Sequence, residues 1–428
     1  MKLANEKVIE KNGYKLHLIH TKKFKTVHVN LKFKAPLDRS TVTKRALLPY
    51  VLQQGTNNYS SARDLRLALD SLYGAVLQID ASKKGNSHLL NFRLELANSK
   101  FIEGNQQLLQ AGLALLAEVI YNPKVENNQF SDKVVNREKQ TLLDKMDAIK
   151  DEKMSYANLR LIDEMCKDEA FSIHAHGYEE DLDEIDGKLL FETLQSLLKD
   201  DQLDVYVVGD IEGLDIEKKI GEYLKREKTS PLEIEFAEVK PRKMQEIKEE
   251  QKIQQAKLHL GFRTFVSFGD TNYAALQVFN GLFGGFPSSK LFLNVREKHS
   301  LAYYAASRIE SHVGLLFVFS GIAPEQYDRA KTIILEQVED MKKGEFTEKE
   351  LDQTKEMIIN QIKETMDNPQ GIIELHYQQV IADTEKSPSA LLEDINSVSY
   401  DDIVSVANQL HLDTIYVLTS EGGSGNGA

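Results

Sequence analysis

The chain has 428 residues, 41% of them hydrophobic, which is enough for more than one full core and, at about 150 residues per domain, for two or three domains. Its net charge of −13, with no long block of either sign, argues against a nucleic-acid or anionic-membrane partner. The single cysteine, Cys166, excludes an intramolecular disulfide and a thiolate metal cluster. It lies in LRLIDEMC with no base nearby, and reads as a small packed side chain rather than a nucleophile.

The N-terminal MKLANEKVIEKNGYKLHLIH lacks the apolar stretch of a secretory leader, and no later apolar run reaches about 18 residues, so a cytoplasmic protein with no membrane partner is expected. Val29, Leu31 and Phe33 alternate with Asn30, Lys32 and Lys34, the period of a half-buried strand. Asp38 then opens a helical segment that ends at Gly55-Thr56. A strand is expected over 88–96, followed by a helix with Leu108, Leu109, Gly112, Leu113, Leu116 and Ile120 at helical spacing. A second helix falls at 136–147, and LDVYVVG, 203–209, closes the series as a strand. The stretch 225–250 is charged, carries Pro231 and Pro241 and has little periodicity, so it reads as an exposed linker.

Beyond the linker the same series returns. Leu258, Leu260 and Phe262 alternate in KLHLGFR, Asp270 opens a helical segment ending in GLFGG, and GLLFVFSGI, 314–322, is the next strand. Ala330, Ile334, Val338 and Met341 mark the following helix, and Thr347-Glu-Lys-Glu350 is a capping box that opens another over 348–366. LDTIYVLTS, 412–420, closes the series. The chain is therefore read as two copies of one α+β domain, 1–224 and 251–421, with a flexible tail at 422–428.

Few other residues carry chemistry at a usable spacing. His174 and His176, two apart with Glu179 and Glu180 behind, share a face only on a strand, and the segment reads as a structural or surface loop rather than a metal site. His259, His299 and His376 have no partner at ligand spacing and read as strand face, loop and helix surface. GLFGGFPSS, 281–289, has no G-K-[ST] and follows a helix, so it is not a phosphate loop and reads as flexible backbone.

Three segments carry a resemblance. FPSSKLFLNVREKHSLAYYAAS, 286–307, is similar to a pattern S-R-L-F-x-x-x-R-E-x-x-x-L-A-Y; AFSIHAHGYEEDLDEI, 170–185, to F-x-x-H-P-x-G with trailing acidic residues; and VVGDI, 207–211, is a third landmark. In this order on a duplicated chain they resemble, over nearly the whole length, the insulinase, pitrilysin and processing-peptidase group of inverted-motif zinc peptidases. The resemblance implies two tandem homologous domains, each an antiparallel-rich mixed sheet packed against helices.

It also points to KRALLPYVLQQGT, 44–56, as the place of the metal-binding H-x-x-E-H. Two histidines four apart on a helix lie about 6 Å apart along the axis and can share one zinc, with the glutamate as general base. Those positions are here Ala46, Pro49 and Tyr50, and the third ligand, a glutamate on a later helix, falls at Lys145, or with a slip of one at Asp144, a single carboxylate that does not make a site. Alanine and proline offer no ligand atom, a lone phenol is a poor one, and a lysine ammonium repels Zn²⁺. Pro49 also costs an interior helix roughly 3 kcal/mol unless the helix is kinked or starts late. Leu47, Leu48, Val51 and Leu52 are expected to keep the helix as core.

What the resemblance retains is Arg296 and Tyr303, seven residues apart and so near one helical face. In the relatives this pair reaches a zinc site, holds the substrate backbone and stabilises the oxyanion, work suited to a permanent cation and a phenol donor. The expectation is a chain that binds no metal or cofactor and is not an enzyme alone. It would serve as the non-catalytic subunit of a heterodimeric zinc metallopeptidase, with zinc in a paralogous partner carrying H-x-x-E-H, acting on short unstructured or leader peptides held as an added strand. The alternative is a structural or peptide-binding protein of the same fold with no part in catalysis.

Overall fold

A computed structural model describes residues 6–103, 107–227 and 241–421. The chain forms two compact units, one from Met1–Ala148 and Ile173–Phe236, the other from Ile149–Ser172 and Ala237–Ala428. In the first, strands β1 (Glu6–Lys11), β2 (Tyr14–His20) and β3 (Thr26–Pro36) precede helices α1 (Val42–Leu52) and α2 (Ala62–Ser71). Then come β4 (Val76–Lys84), β5 (Ser87–Ala97), α3 (Leu108–Tyr121) and α4 (Asp132–Asp151). Helix α5 (Lys153–Met165) falls in the second unit, and α6 (Gly187–Asp200), β6 (Gln202–Gly209) and α7 (Ile216–Tyr223) complete the first.

The second unit continues with β7 (Gln245–Gln251), β8 (Ala256–Arg263), α8 (Tyr273–Asn280), β9 (Ala302–Glu310), β10 (Leu315–Ile322) and α9 (Tyr327–Lys342). It ends with α10 (Glu348–Thr365), α11 (Pro369–Ala382), α12 (Pro388–Ser397), α13 (Tyr400–Gln409) and β11 (His411–Ser420). The predicted capping box is formed at Thr347 and Glu350 and opens α10 where expected.

The sheet orders are β1-β2-β6-β3-β5-β4 and β7-β11-β8-β10-β9. Each has one parallel pair, β2 with β6 and β7 with β11, in an otherwise antiparallel ladder. Strand for strand, the second sheet repeats the first without β1. Each is a mixed sheet against helices, the α+β architecture expected.

In the first unit Val29, Leu31 and Phe33 of β3 face a core with Leu47, Leu48, Val51 and Leu52 of α1 and Leu113 and Leu116 of α3. Burying such side chains stabilises by about 1.5–3 kcal/mol each, so α1 is held by its apolar face whatever its polar positions carry. It starts at Val42 and runs through Pro49, so a late start is not how proline is accommodated. Pro49 sits in the last turn and a half and, having no N–H, leaves the Arg45 carbonyl four residues back without its intrahelical donor. Gln53 Nε2 donates to the Pro49 and Ile79 carbonyls at 2.9 and 3.2 Å, and Gln54 Nε2 to the Tyr50 carbonyl at 3.1 Å.

Two features depart from the sequence reading. Residues 245–250, taken as linker, form β7 together with Gln251, paired in parallel with β11 from Gln245 opposite Thr414 to Gln251 opposite Ser420. The remainder of that stretch at 228–240, like the tail 422–428, lies outside the described residues. Segment 149–172, which the reading placed in the first domain, belongs to the second unit. There Ala157, Leu161, Ile162, Met165 and Cys166 bury against Leu315, Phe317, Tyr416 and Leu418. Gly261 on β8 lets them in: a Cβ there would run into Met165 Sδ.

Polar anchors fix this segment. Arg263 on β8 donates to Asp413 Oδ2 at 3.0 Å, to both Glu169 oxygens at 2.9 and 2.6 Å and to the Met165 carbonyl at 2.7 Å. Glu249 on β7 accepts from Tyr156 at 2.6 Å, Tyr416 at 2.8 Å and Arg160 at 3.3 Å. Burial and the bond to Glu249 push the Tyr156 phenol up to about 12. Among the described residues no helix is long and apolar enough to cross a membrane.

Candidate functional site

The polar side of α1 is fastened from both ends. Arg45, beside Ala46, makes a two-point pair with Asp201, Nη1 to Oδ1 at 3.1 Å and Nη2 to Oδ2 at 2.7 Å, with both side chains buried. Its Nε donates to His88 Nδ1 at 3.3 Å, while His88 Nε2 lies 3.0 Å from the Ala175 carbonyl. These partners select the tautomer in which Nε2 carries the proton. Burial, with the Arg45 charge adding to it, pulls His88 down to about 3, so the ring is neutral.

At the start of α1, Thr43 Oγ1 accepts from Tyr178 N at 3.0 Å and donates to Asp181. Arg39 stacks on Tyr178 at 3.7 Å and bonds Glu180 at 2.9 Å. Gly177, at φ +76°, presses against Thr43 where no Cβ fits. The loop is thus a brace on α1. His174 stacks on Tyr178 at 4.8 Å, Glu180 goes to Arg39, and His174, His176, Glu179 and Glu180 do not gather as ligands.

At the positions that the resemblance assigns to zinc, Ala46 and Pro49 are buried, Tyr50 is half-buried and Lys145 is exposed on α4. Burial, with Asp80 and Glu138 nearby, raises the Tyr50 pKa, the opposite of what a metal-binding phenolate requires. Glu138 is buried and held by Arg137 at 2.7 Å, and Arg137 also bonds Gln54 at 2.6 Å. This set does not fit Zn²⁺: it supplies a methyl, a pyrrolidine ring, a neutral phenol and an ammonium. Among the described residues the one group of three metal-type side chains is His20, Asp210 and Glu212, which sequence reasoning did not single out. Lys100 pairs with Asp210 at 2.8 Å and Lys22 with Glu212 at 2.7 Å, so those carboxylates are already neutralised.

In the second unit Arg296 and Tyr303 come together by a route other than a shared helical face. Arg296 lies on a wide helical turn, Phe292–Lys298, and Tyr303 on β9. Between them Ser300 takes a left-handed φ of +51°, with its N–H on the Arg296 carbonyl and that of Leu301 on the Val295 carbonyl, both at 3.0 Å. That reversal puts the guanidinium 6.0 Å from the Tyr303 ring and 4.6 Å from the Phe292 ring. Tyr303 is 78% exposed and the Arg296 side chain 41%. Among the described residues Arg296 has one ion pair, a 3.5 Å contact with its neighbour Glu297.

The glycines before this motif serve packing, not mobility. Gly281, Leu282, Phe283 and Gly284 are buried, and a Cβ on Gly284 would lie 2.7 Å from Leu291 Cδ1 and from Ser307 N. His376, read as helix surface, is buried on α11 among its apolar residues. His259 is buried on β8, and burial lowers its pKa to about 3.

The duplicated fold, with a helix α1 that carries no zinc ligands at the positions the resemblance assigns to them, defines a peptidase-like chain. A family model described as the Peptidase M16 inactive domain matches residues 185–358. The chain is 44% identical over 428 residues, 99% of its length and 100% of the other's, to a probable inactive metalloprotease, YmfF, of Bacillus subtilis. It is 24% identical over 391 residues, 89% of this chain and 88% of the other, to an uncharacterized zinc protease, YmxG, of the same organism. The crystal structure of a conserved protein from Enterococcus faecalis V583 superposes with a TM-score of 0.89 at 33% identity, covering 98% of this chain and 99% of that one. The chain belongs to the M16 peptidase family, as a homologue of its inactive members.

Proposed function

We propose that this chain is the non-catalytic subunit of a two-chain zinc peptidase and supplies Arg296 and Tyr303 to the zinc site of a paralogous partner that carries H-x-x-E-H. The observation that carries the reading is the pairing of a spent zinc position with an intact, solvent-facing guanidinium and phenol 6.0 Å between charge and ring centre. A permanent cation and a phenol O–H match the charge that develops on a scissile carbonyl, worth roughly 2.7–4 kcal/mol for one well-placed donor. In Bacillus subtilis a relative named as inactive and one named as a zinc protease occur together, which is the combination the reading needs.

The substrate in this reading is an extended, unstructured peptide. Strands β4 and β9 are the last strands of their sheets, so each offers an outer edge for backbone hydrogen bonds to an added strand. The working complex is placed in the cytoplasm. The test is cleavage of a fluorogenic peptide by this chain, by the paralogue, and by the mixture, with zinc measured on each. Activity confined to the mixture, zinc confined to the paralogue, and a loss of about a hundredfold in kcat for Arg296→Ala or Tyr303→Phe are expected. A mixture whose rate is indifferent to both substitutions would make the chain a scaffold.

A further inference from the structure

The register of β11 on β8 shapes a cavity beside α9. Leu412 stands opposite Phe262 and Thr414 opposite Gly261, so Asp413 is one residue too many for the ladder, a β-bulge. In an unbroken strand Leu412 and Ile415 would fall on opposite faces. With the bulge both pack towards the core to which α9 contributes, while Asp413 turns to Arg263, itself bonded to Met165 and Glu169. Leu412 thereby joins Phe262, Leu410, Leu335 and Val338 as the apolar wall of a cavity of about 570 Å³, the size of a small-molecule site. The last turns of α9 and the residue that caps it supply the polar wall: Glu336, Glu339, Asp340, Lys342 and Lys343. Lys342 pairs with Glu339 at 2.8 Å, whereas the carboxylates of Glu336 and Asp340 have no hydrogen bond or ion pair among the described residues. Lys343 balances one of these two in number, so the wall carries one negative charge in excess, and the C-terminal end of α9 adds the negative end of the helix dipole.

We propose that this cavity is a binding site for a small primary amine on an apolar body, with the body against Phe262, Leu410 and Leu412 and the ammonium at Glu336 and Asp340. Four residues apart on one helix, these two carboxylates are surface neighbours, and an ammonium has three donors to share between them. A neutral ligand of the same shape would fill the apolar wall and leave the two like charges facing each other, and an anion would add a third. Neither Arg296 nor Tyr303 lines the cavity, so its occupancy is independent of the functional reading above.

Hexylamine, hexanol and hexanoate share an apolar body and differ in charge, which makes them the probes. Each is titrated into the full chain with isotope-labelled leucine methyls, and the resonances of Leu410 and Leu412, assigned through Leu410→Ile and Leu412→Ile, are followed by NMR. Saturable movement is expected with the amine at about a tenfold lower concentration than with the alcohol, and hexanoate should be the weakest of the three. Glu336→Gln with Asp340→Asn should bring amine and alcohol level. Leu335→Trp, which puts a larger side chain into the cavity, should abolish the movement with all three. No saturable movement of either leucine in the unaltered chain, or movement that survives Leu335→Trp, overturns the site. Equal affinity for amine and alcohol in the unaltered chain, or a preference for the amine that survives the double substitution, overturns the assignment of an amine as its ligand.

Discussion

Substituting Arg45 by alanine tests whether α1 is held by a buried ion pair or by its apolar face alone. The substitution removes two hydrogen bonds to Asp201 and two to His88, and leaves the Asp201 carboxylate, buried with its partner at about 5% exposure, without its paired guanidinium and with the Arg226 charge still acting on it. Removing one member of a buried pair costs about 3–5 kcal/mol, mostly the penalty of the charge left behind. That origin fixes a pH dependence. Burial raises the Asp201 pKa and the Arg45 charge opposes the rise, so removing Arg45 lifts it further. A carboxyl whose folded pKa lies above its unfolded value binds more protons when folded, so its stability contribution grows as pH falls. Urea unfolding of Arg45→Ala at pH 8, 7, 6 and 5 should therefore show a deficit that shrinks towards acid, and Arg45→Met with Asp201→Leu should recover most of it at pH 8. A deficit below about 1 kcal/mol, or one that ignores pH, would refute the reasoning.

His17, bonded to Glu6 at 2.7 Å and Asp204 at 3.1 Å, gives a slope of the same sign by a different cause. Burial disfavours its charge, but the two carboxylates prevail and raise it to about 9, so its contribution is complete below about pH 6.5 and lost as pH climbs through about 9. Urea midpoints between pH 6 and 10 should fall in the native chain and flatten in His17→Gln. Arg263→Ala should cost about 3–5 kcal/mol and expose 149–172 to limited proteolysis, and Arg263→Lys, which keeps the charge without the fork, should rescue only part.

Local pattern reached the fold because the repeated signals are local: Val29, Leu31 and Phe33 announce β3 as Leu258, Leu260 and Phe262 announce β8. At Ala46, Pro49, Tyr50 and Lys145 residue type alone says that no zinc ligand set is offered, while their place as zinc positions is what the resemblance implies. What escaped depended on distant partners. β7 reads QEIKEEQ, a polar strand with no apolar stripe, and its strand identity comes from β11 some 169 residues away. Arg296 and Tyr303 were identified correctly as neighbours for an incorrect reason, because the left-handed Ser300 is not a signal that serine announces. The GLFGG glycines looked mobile, while their purpose is set by Ser307 and Leu291 outside the motif. His376 carries no mark of burial, because its helix alternates polar and apolar residues without a clear stripe.

The assignment of 149–172 to the second unit bears on how this molecule can be taken apart. A fragment beginning at residue 251 would carry Leu315, Phe317, Tyr416 and Leu418 without the helix that covers them, and would lack most of the β7 edge. Bare sheet of that kind aggregates. The complementary fragment would keep α5 with nothing to cover. Each half of the sequence is thus incomplete as a folding unit, and any exchange of halves between paralogous chains, in the laboratory or over generations, must carry α5 with the sheet it serves.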